Sequence, residues 1–335
     1  MNRVANFPDK DRSDLFKETA SQMHTTNAIV EKDFWVVWVL DKLFSDAKLS
    51  KILMFKGGTS LSKAFGLIER FSEDIDLILN WNLLTEENPY DIRSKTQQSK
   101  FNKSINEKAQ EYIKDELLPI VSNILKPNCK CKIKESNDFS IDIQYPALFN
   151  DSALLPHILL EIGPLALWLP SDEFEITPFA AQKFPELFEQ PICKVNTILA
   201  ERTFWEKATI LHQEANRAEN KPIPLRHSRH YYDLARMASS GVKDKALADL
   251  ELLKSVVEFK QRFYTSGWAK YEEAKVGTFK LLPPEFRHKE LKNDYRAMQN
   301  MIFGERIEFE EIISVLKELE LEINTLEEIQ KIEQE

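Results

Sequence analysis

The 335-residue chain is 43% apolar and 30% charged, with only 8 Gly and 15 Pro. That balance excludes collagen-like, low-complexity and wholly disordered classes, and the length suits about two domains. The net charge of −9 is uneven, because Glu305–Glu335 holds 11 Glu against Arg306, Lys317 and Lys331, whereas Arg93–Lys134 has ten basic residues against Glu107, Glu111, Asp115 and Glu116. An acidic total therefore leaves room for a local positive surface and an RNA partner. Cys129, Cys131 and Cys193 form no CxxC pair or Cys/His cluster, so neither a disulfide framework nor a zinc site is expected. Met1–Asp14 lacks the apolar core of a signal peptide, and no run approaches the ~18 apolar residues of a spanning helix. A cytoplasmic protein with no membrane role is expected.

In chain order, apolar spacing through Ile29, Phe34, Val37, Leu40 and Leu43 predicts a helix ending near Ser45-Asp46. Ile52–Phe55 reads as a short strand running into Gly57-Gly58, with Thr59 and Ser60 as expected N-caps of a helix to about Phe65. Asp74–Leu79 is a second strand, its alternation putting Asp74, Asp76 and Ile78 on one face. Phe101, Ile105, Ala109, Ile113, Leu117 and Ile124 mark a long helix whose polar side carries much of the basic run. Lys130–Lys134 and Phe139–Tyr145 predict a hairpin, and Ile158–Ile162 a further strand. Proline-rich loops are expected from Pro164 to Pro191. Helices then follow over Ile198–Ala215, Arg229–Ser239 and Ala246–Arg262, with an acidic terminal helix.

The fold expected is α+β. A small mixed sheet with N-terminal helices occupies residues 1–192, and a helical domain with an acidic C-terminal helix occupies residues 193–335. No internal repeat is present.

The chemistry concentrates in Phe55-Lys56-Gly57-Gly58-Thr59-Ser60-Leu61-Ser62-Lys63 and Arg70-Phe71-Ser72-Glu73-Asp74-Ile75-Asp76-Leu77. Paired glycines let the backbone approach a phosphate, and the helix they open offers unpaired N–H groups to an anion. Two carboxylates at i and i+2 on one strand face repel unless cations sit between them, which suits divalent metal. The chain has no GxxxxGK[ST] and no GxGxxG turn, so P-loop and Rossmann readings fail. A third carboxylate is expected from a neighbouring strand, to complete a metal site and help deprotonate a hydroxyl. Glu161 interrupts an apolar strand and is the first choice; Asp142 is the second.

Gly-Gly-Thr-Ser followed some 15 residues later by Asp-x-Asp resembles the nucleotidyltransferase superfamily that includes DNA polymerase beta. Glu31-Lys32-Asp33-Phe34-Trp35-Val36, the two blocks above, Glu201-Arg202-Thr203-Phe204-Trp205-Glu206-Lys207 and Arg229-His230-Tyr231-Tyr232-Asp233-Leu234 occur in an order that resembles the AbiEii/MenT nucleotidyltransferase family. The resemblance runs from about residue 27 to 240. It implies a polymerase-beta-like N-terminal domain and the toxin half of a bacterial toxin–antitoxin or phage-defence pair, with an antitoxin encoded nearby. It also implies Mg²⁺- or Mn²⁺-dependent transfer of a nucleotide from an NTP, with tRNA, at its 3′ end, as acceptor.

Carried over by position, Asp74 and Asp76 hold the metals, and Gly58, Ser60 and Lys207 the nucleotide phosphates; Glu161 is expected as the third metal ligand, and Gly57, Thr59, Lys63 and Ser72 beside the nucleotide. Lys207 faces the leaving pyrophosphate, and Asp233 has a catalytic or positioning role. On its residues alone, Asp233 reads first as a helix residue paired with Arg229 or Arg236, and only the resemblance gives it a role. His230 and Tyr232 stand as RNA contacts or packed structure, and Glu31, Lys32 and Trp35 as braces or packing. The basic helix between Arg93 and Lys114 is the expected guide for RNA. A second class of activity, transfer to a protein or small molecule or NTP binding without transfer, stays open.

Overall fold

The computed structural model of the chain describes residues 1–151 and 154–332; Glu333–Glu335 of the acidic run lie outside the described residues. Its contacts group into two units. The first is Met1–Gly66 with Phe71–Ile198, and the second is Leu67–Arg70 with Leu199 onward. The division after Ile198, rather than after Ile192, follows from Cys193–Ile198 being a strand of the first unit's sheet.

In the first unit, seven strands form a mixed sheet: β1 (Leu53–Lys56), β2 (Asp74–Leu79), β3 (Lys130–Lys134), β4 (Asn137–Gln144), β5 (Ile158–Gly163), β6 (Ser171–Ile176) and β7 (Cys193–Ile198). Their order is β3-β4-β5-β2-β1-β7-β6, with β2/β5 and β1/β7 parallel and the other pairs antiparallel. The sheet is larger than the small one expected, because β6 and β7 lie where loops and a boundary were read. β7 alternates over Cys193–Thr197 and β6 only over Glu173–Ile176, with prolines flanking both.

Register sorts the central strands into two faces. Phe55, Leu77 and Ile162 share one row, and Ile75, Leu160 and Ile141 the next; all are buried. The other face carries Lys56, Asp76, Glu161 and Ser140 in one row, and Asp74, Leu159, Asp142 and Lys132 in its neighbour. A period of two thus separates an apolar face from a charged one.

The Asn27–Ser45 helix, started by Thr26 accepting from the Ile29 N–H, is buried around its whole circumference from Ala28 to Leu40. A Ser94/Gln97 capping box opens Lys95–Tyr112, which continues through a π turn (Ile113–Leu117) into Leu118–Leu125. Its buried stripe, Phe101, Ile105, Ala109, Ile113, Leu117, Val121 and Leu125, keeps the helical spacing.

The second unit is helical: Ala200–Ala215, Ser228–Ala238, Gly241–Ala248, Leu250–Phe263, His288–Met298 and Phe309–Ile332. The long helix expected over Ala246–Arg262 is broken at Asp249, whose side chain accepts from the Leu252 N–H and caps the next segment. Trp205, Tyr231, Tyr232, Phe279 and Tyr295 fill its core. Trp205 Nε1 donates to the Ala246 carbonyl at 3.1 Å. His212 is used structurally, its Nε2 on the Lys270 carbonyl and its Nδ1 accepting from the Lys280 N–H.

Candidate active site

In the first unit the site begins where β1 ends. The helix starts at Gly57 and runs to Lys63, so Thr59 and Ser60 sit inside its first turn and are not its N-caps. Gly57 has φ +85, and a Cβ there would overlap the carboxylate of Asp76. Only glycine allows β1 to turn into the helix with the Asp76 side chain lying against the turn. Ser60 Oγ donates to the Gly57 carbonyl at 2.8 Å, and Thr59 Oγ1 donates to the Asp74 carbonyl at 2.5 Å. The glycine turn and the acidic strand are therefore tied through side-chain hydroxyls.

Asp74, Asp76 and Glu161 are half-buried. Asp76 lies opposite Glu161 across the parallel β2/β5 ladder, with Asp74 on the same face. Among the described residues no three His, Cys, Asp or Glu side chains form a group able to hold a metal ion. A pair of carboxylates on one face is nonetheless the donor set on which Mg²⁺ sits when substrate phosphates complete its shell, so the donors fit a hard divalent cation. Asp142, the second choice, lies 3.0 Å from Nε2 of His157.

Lys63 is not displayed to solvent. It forms a buried ion pair with Asp33 and lies 3.6 Å from the centre of the Phe179 ring. Burial pushes the Lys63 ammonium down and the Asp33 carboxyl up, against their mutual attraction. Asp33 also accepts from the Phe179 N–H at 2.7 Å. Its two neighbours in sequence are equally buried. Glu31 accepts from the Leu148 and Phe149 N–H groups at 2.8 and 3.0 Å. Lys32 Nζ is 2.8 Å from Glu73 and 3.0 Å from the Leu155 carbonyl, and Glu73 accepts from the Leu155 N–H at 2.6 Å. Glu31 and Lys32 thus brace the segments that lead into the two acidic strands, and Asp33 holds the end of the glycine-turn helix. Trp35, also buried, stacks on Tyr145 as core packing.

In the second unit Asp233 is enclosed by two cations. Arg70 Nε and Nη2 donate to its two oxygens at 2.6 and 2.7 Å, and Lys207 Nζ is 2.6 Å from Oδ2. Its partners are thus Arg70 and Lys207, whereas Arg236 pairs with Glu69. Burial alone would raise the Asp233 pKa, but the two cations overcome it and hold the carboxyl at about 2. Lys207 is pushed down by burial, with Asp233 opposing. Burial, reinforced by Lys207, His227, Arg229 and Arg70, keeps His230 neutral. Arg70 was not foreseen as a site residue; nothing local marks it, since its partner is far away in sequence.

The profile of the AbiEii family, described as nucleotidyl transferase AbiEii toxin of a type IV toxin–antitoxin system, matches residues 38–315. The chain belongs to the AbiEii family. It is accordingly a nucleotidyltransferase of a toxin–antitoxin family, with the nucleotide substrate and antitoxin partner that membership implies. No curated protein sequence matches it. Among solved structures it is similar to MenT4, a nucleotidyltransferase toxin from Mycobacterium tuberculosis H37Rv, with 16% identity, a TM-score of 0.44, and 93% of this chain and 98% of that one covered. It is also similar to JHP933 from Helicobacter pylori, with 14% identity, a TM-score of 0.46, and 91% and 98% covered.

Every expected site residue of this AbiEii chain lies inside the matched span, whereas Glu31, Lys32 and Asp33 lie ahead of it. Among the described residues no helix is long and apolar enough to cross a membrane.

Proposed function

We propose that this chain transfers a nucleotide from an NTP to the 3′-hydroxyl of an RNA, tRNA above all, and so acts as a toxin by blocking aminoacylation, within a toxin–antitoxin or phage-defence pair. The supporting observation is the row Lys56-Asp76-Glu161-Ser140, with Asp74 beside it and the Gly57 backbone against Asp76.

The hydroxyl oxygen attacks the α-phosphorus, the bond to the bridging oxygen breaks, and pyrophosphate leaves. Glu161 takes the hydroxyl proton. Asp74 and Asp76, with Glu161 on the same face beside them, are the pair that would hold Mg²⁺ or Mn²⁺, whose chemistry is to neutralise charge on the phosphates. The Gly57-Gly58 turn and the first N–H groups of its helix receive the triphosphate, with Ser60 holding the turn. In the second unit Asp233 fixes the Lys207 ammonium, the point charge that the family resemblance assigns to the pyrophosphate.

The test incubates protein, divalent cation and each α-labelled NTP with total bacterial RNA. Label in the tRNA band that depends on the cation and vanishes in Asp76→Asn supports the reading. Label only on protein, or on nothing, favours the second class of activity.

A further inference from the structure

The sheet order separates two sides of the acidic pair. On one side of β2 lies β1, which feeds the Gly57 helix; on the other lie β5, β4 and the edge strand β3, in that order. In an in-line displacement the entering hydroxyl and the leaving pyrophosphate occupy opposite sides of the phosphorus. With the triphosphate on the Gly57 side, the acceptor must arrive over β5 and β4.

That approach ends on lysines. Lys132 is in register with Asp142, in the row that continues through Leu159 to Asp74, and so faces the same side as the carboxylates. Lys130, two residues earlier, shares its face, opposite Gln144. A register shift follows Ile133, and Lys134, paired with Asn137, stands two residues beyond Lys132 on the same edge strand. Lys130 and Lys132 are exposed and Lys134 is half-buried. Among the described residues none of the three has an ion-pair partner. Strands about 4.8 Å apart put this edge roughly 14 Å from β2, the reach of a short stretch of polynucleotide.

The helix read as the RNA guide is partly neutralised by comparison. Arg93 pairs with Glu87 and Asp91 and stacks on Phe101, and Lys103 pairs with Glu107.

We propose that Lys130, Lys132 and Lys134 form a backbone-docking track that delivers an RNA 3′ end to the carboxylate face. This rests on the RNA-acceptor reading above. Phosphates on such a track displace counterions, so three lysines contribute about 2 to the salt slope of single-strand binding. The competing explanation is that lysines on an edge strand only prevent pairing with other strands.

The experiment compares wild type, Lys130→Gln/Lys132→Gln/Lys134→Gln, the corresponding triple Arg variant, and Lys95→Gln/Lys100→Gln/Lys103→Gln. Total tRNA binding is measured against salt, together with NTP affinity and RNA labelling. The track predicts that the β3 Gln triple loses about tenfold or more in RNA affinity near physiological salt, with a salt slope smaller by about 2. NTP affinity stays unchanged, and both the Arg triple and the helix triple behave like wild type. A wild type that labels RNA, beside a β3 Gln triple with equal affinity and slope, overturns the track and leaves the RNA reading standing. A wild type that neither binds nor labels RNA overturns both, and aggregation of the Gln triple without loss of RNA binding by its soluble fraction returns the lysines to edge protection.

Discussion

The Asp76 carboxylate rests against the α-carbon of Gly57, where a methyl group would overlap it. Gly57→Ala therefore has two separate effects. A left-handed backbone for a non-glycine residue costs about 1–3 kcal/mol, and the displaced carboxylate loses its alignment with substrate, where an error of about 1 Å can cost 10²-fold in rate. Thermal unfolding and labelling of RNA, measured on one sample, check the two effects. Wild-type labelling from Gly57→Ala would show that this contact does not set the geometry of Asp76.

Asp74→Asn and Asp76→Asn each remove a charge from a face where carboxylates repel one another. Transfer should fall by about 10²-fold or more, if each carboxylate matters as much as an oxyanion-hole donor, while the melting temperature holds or rises. Activity within tenfold of wild type in either variant removes both residues from the metal assignment. Chelation of the wild type should silence it, and Mg²⁺ or Mn²⁺ should restore it.

Lys32→Met leaves the buried Glu73 carboxylate without its ammonium, for an expected loss of about 3–5 kcal/mol of stability. Lys32→Met/Glu73→Leu, which removes both charges, should recover most of it. Urea unfolding of both variants tests this; equal loss in the two would show that packing, and not the lone charge, is what was damaged.

Asp233 titrates from an ordinary value of 3.8 down to about 2 in the folded chain. The unfolded chain then binds the proton more readily, so this stabilisation is present above pH 3.8 and drains away as the pH falls towards 2. The difference corresponds to about 2 kcal/mol. In calorimetry between pH 5 and 2, the wild type should show this acid-linked loss and Asp233→Asn should lack it. Asp233→Asn should also be less stable than wild type near neutrality by about 3–5 kcal/mol, because Arg70 and Lys207 are left facing one another.

Lys207→Ala keeps the bidentate Arg70–Asp233 pair and should fold. Its transfer rate should drop by about 2–4 kcal/mol in transition-state terms if the ammonium meets the departing pyrophosphate. Steady-state kinetics at saturating NTP decide this, and an unchanged kcat assigns Lys207 to the second unit's packing alone.

How much of this was legible in the sequence depends on the range of the interaction. The alternation in Asp74–Leu79 and the glycine pair are local signals, and both appear where they were read. Glu161 showed itself by breaking an apolar run, and register alone placed it opposite Asp76. Glu31-Lys32-Asp33 carries a local signal too: three successive residues sweep more than half of a helix circumference, so within an apolar helix at least one must be buried with a partner. The identity of those partners, Leu148, Glu73 and Lys63, depends on loops brought in from afar. Lys63 shows the reverse error, a lysine beside a glycine turn that is engaged by an aspartate thirty residues earlier. Cys193–Ile198 has the period of a strand and Ser171–Ile176 only a short stretch of it, and the prolines around both carry the stronger local signal, that of loops.

Leu67–Arg70 belongs to the second unit although the residues before and after it belong to the first. The Glu69 carbonyl accepts from the Phe303 N–H, Arg70 bridges to Ile302, and its guanidinium completes the Asp233 pair. No single break in the gene can therefore free either unit whole. A fragment starting at Leu199 would carry Asp233 with Lys207 but without its arginine, and one ending at Ile198 would carry an arginine whose acid is missing. The glycine turn and the acidic strand are consecutive in the first unit only by way of four residues lent to the second, so duplication, fusion or exchange of either half must move both.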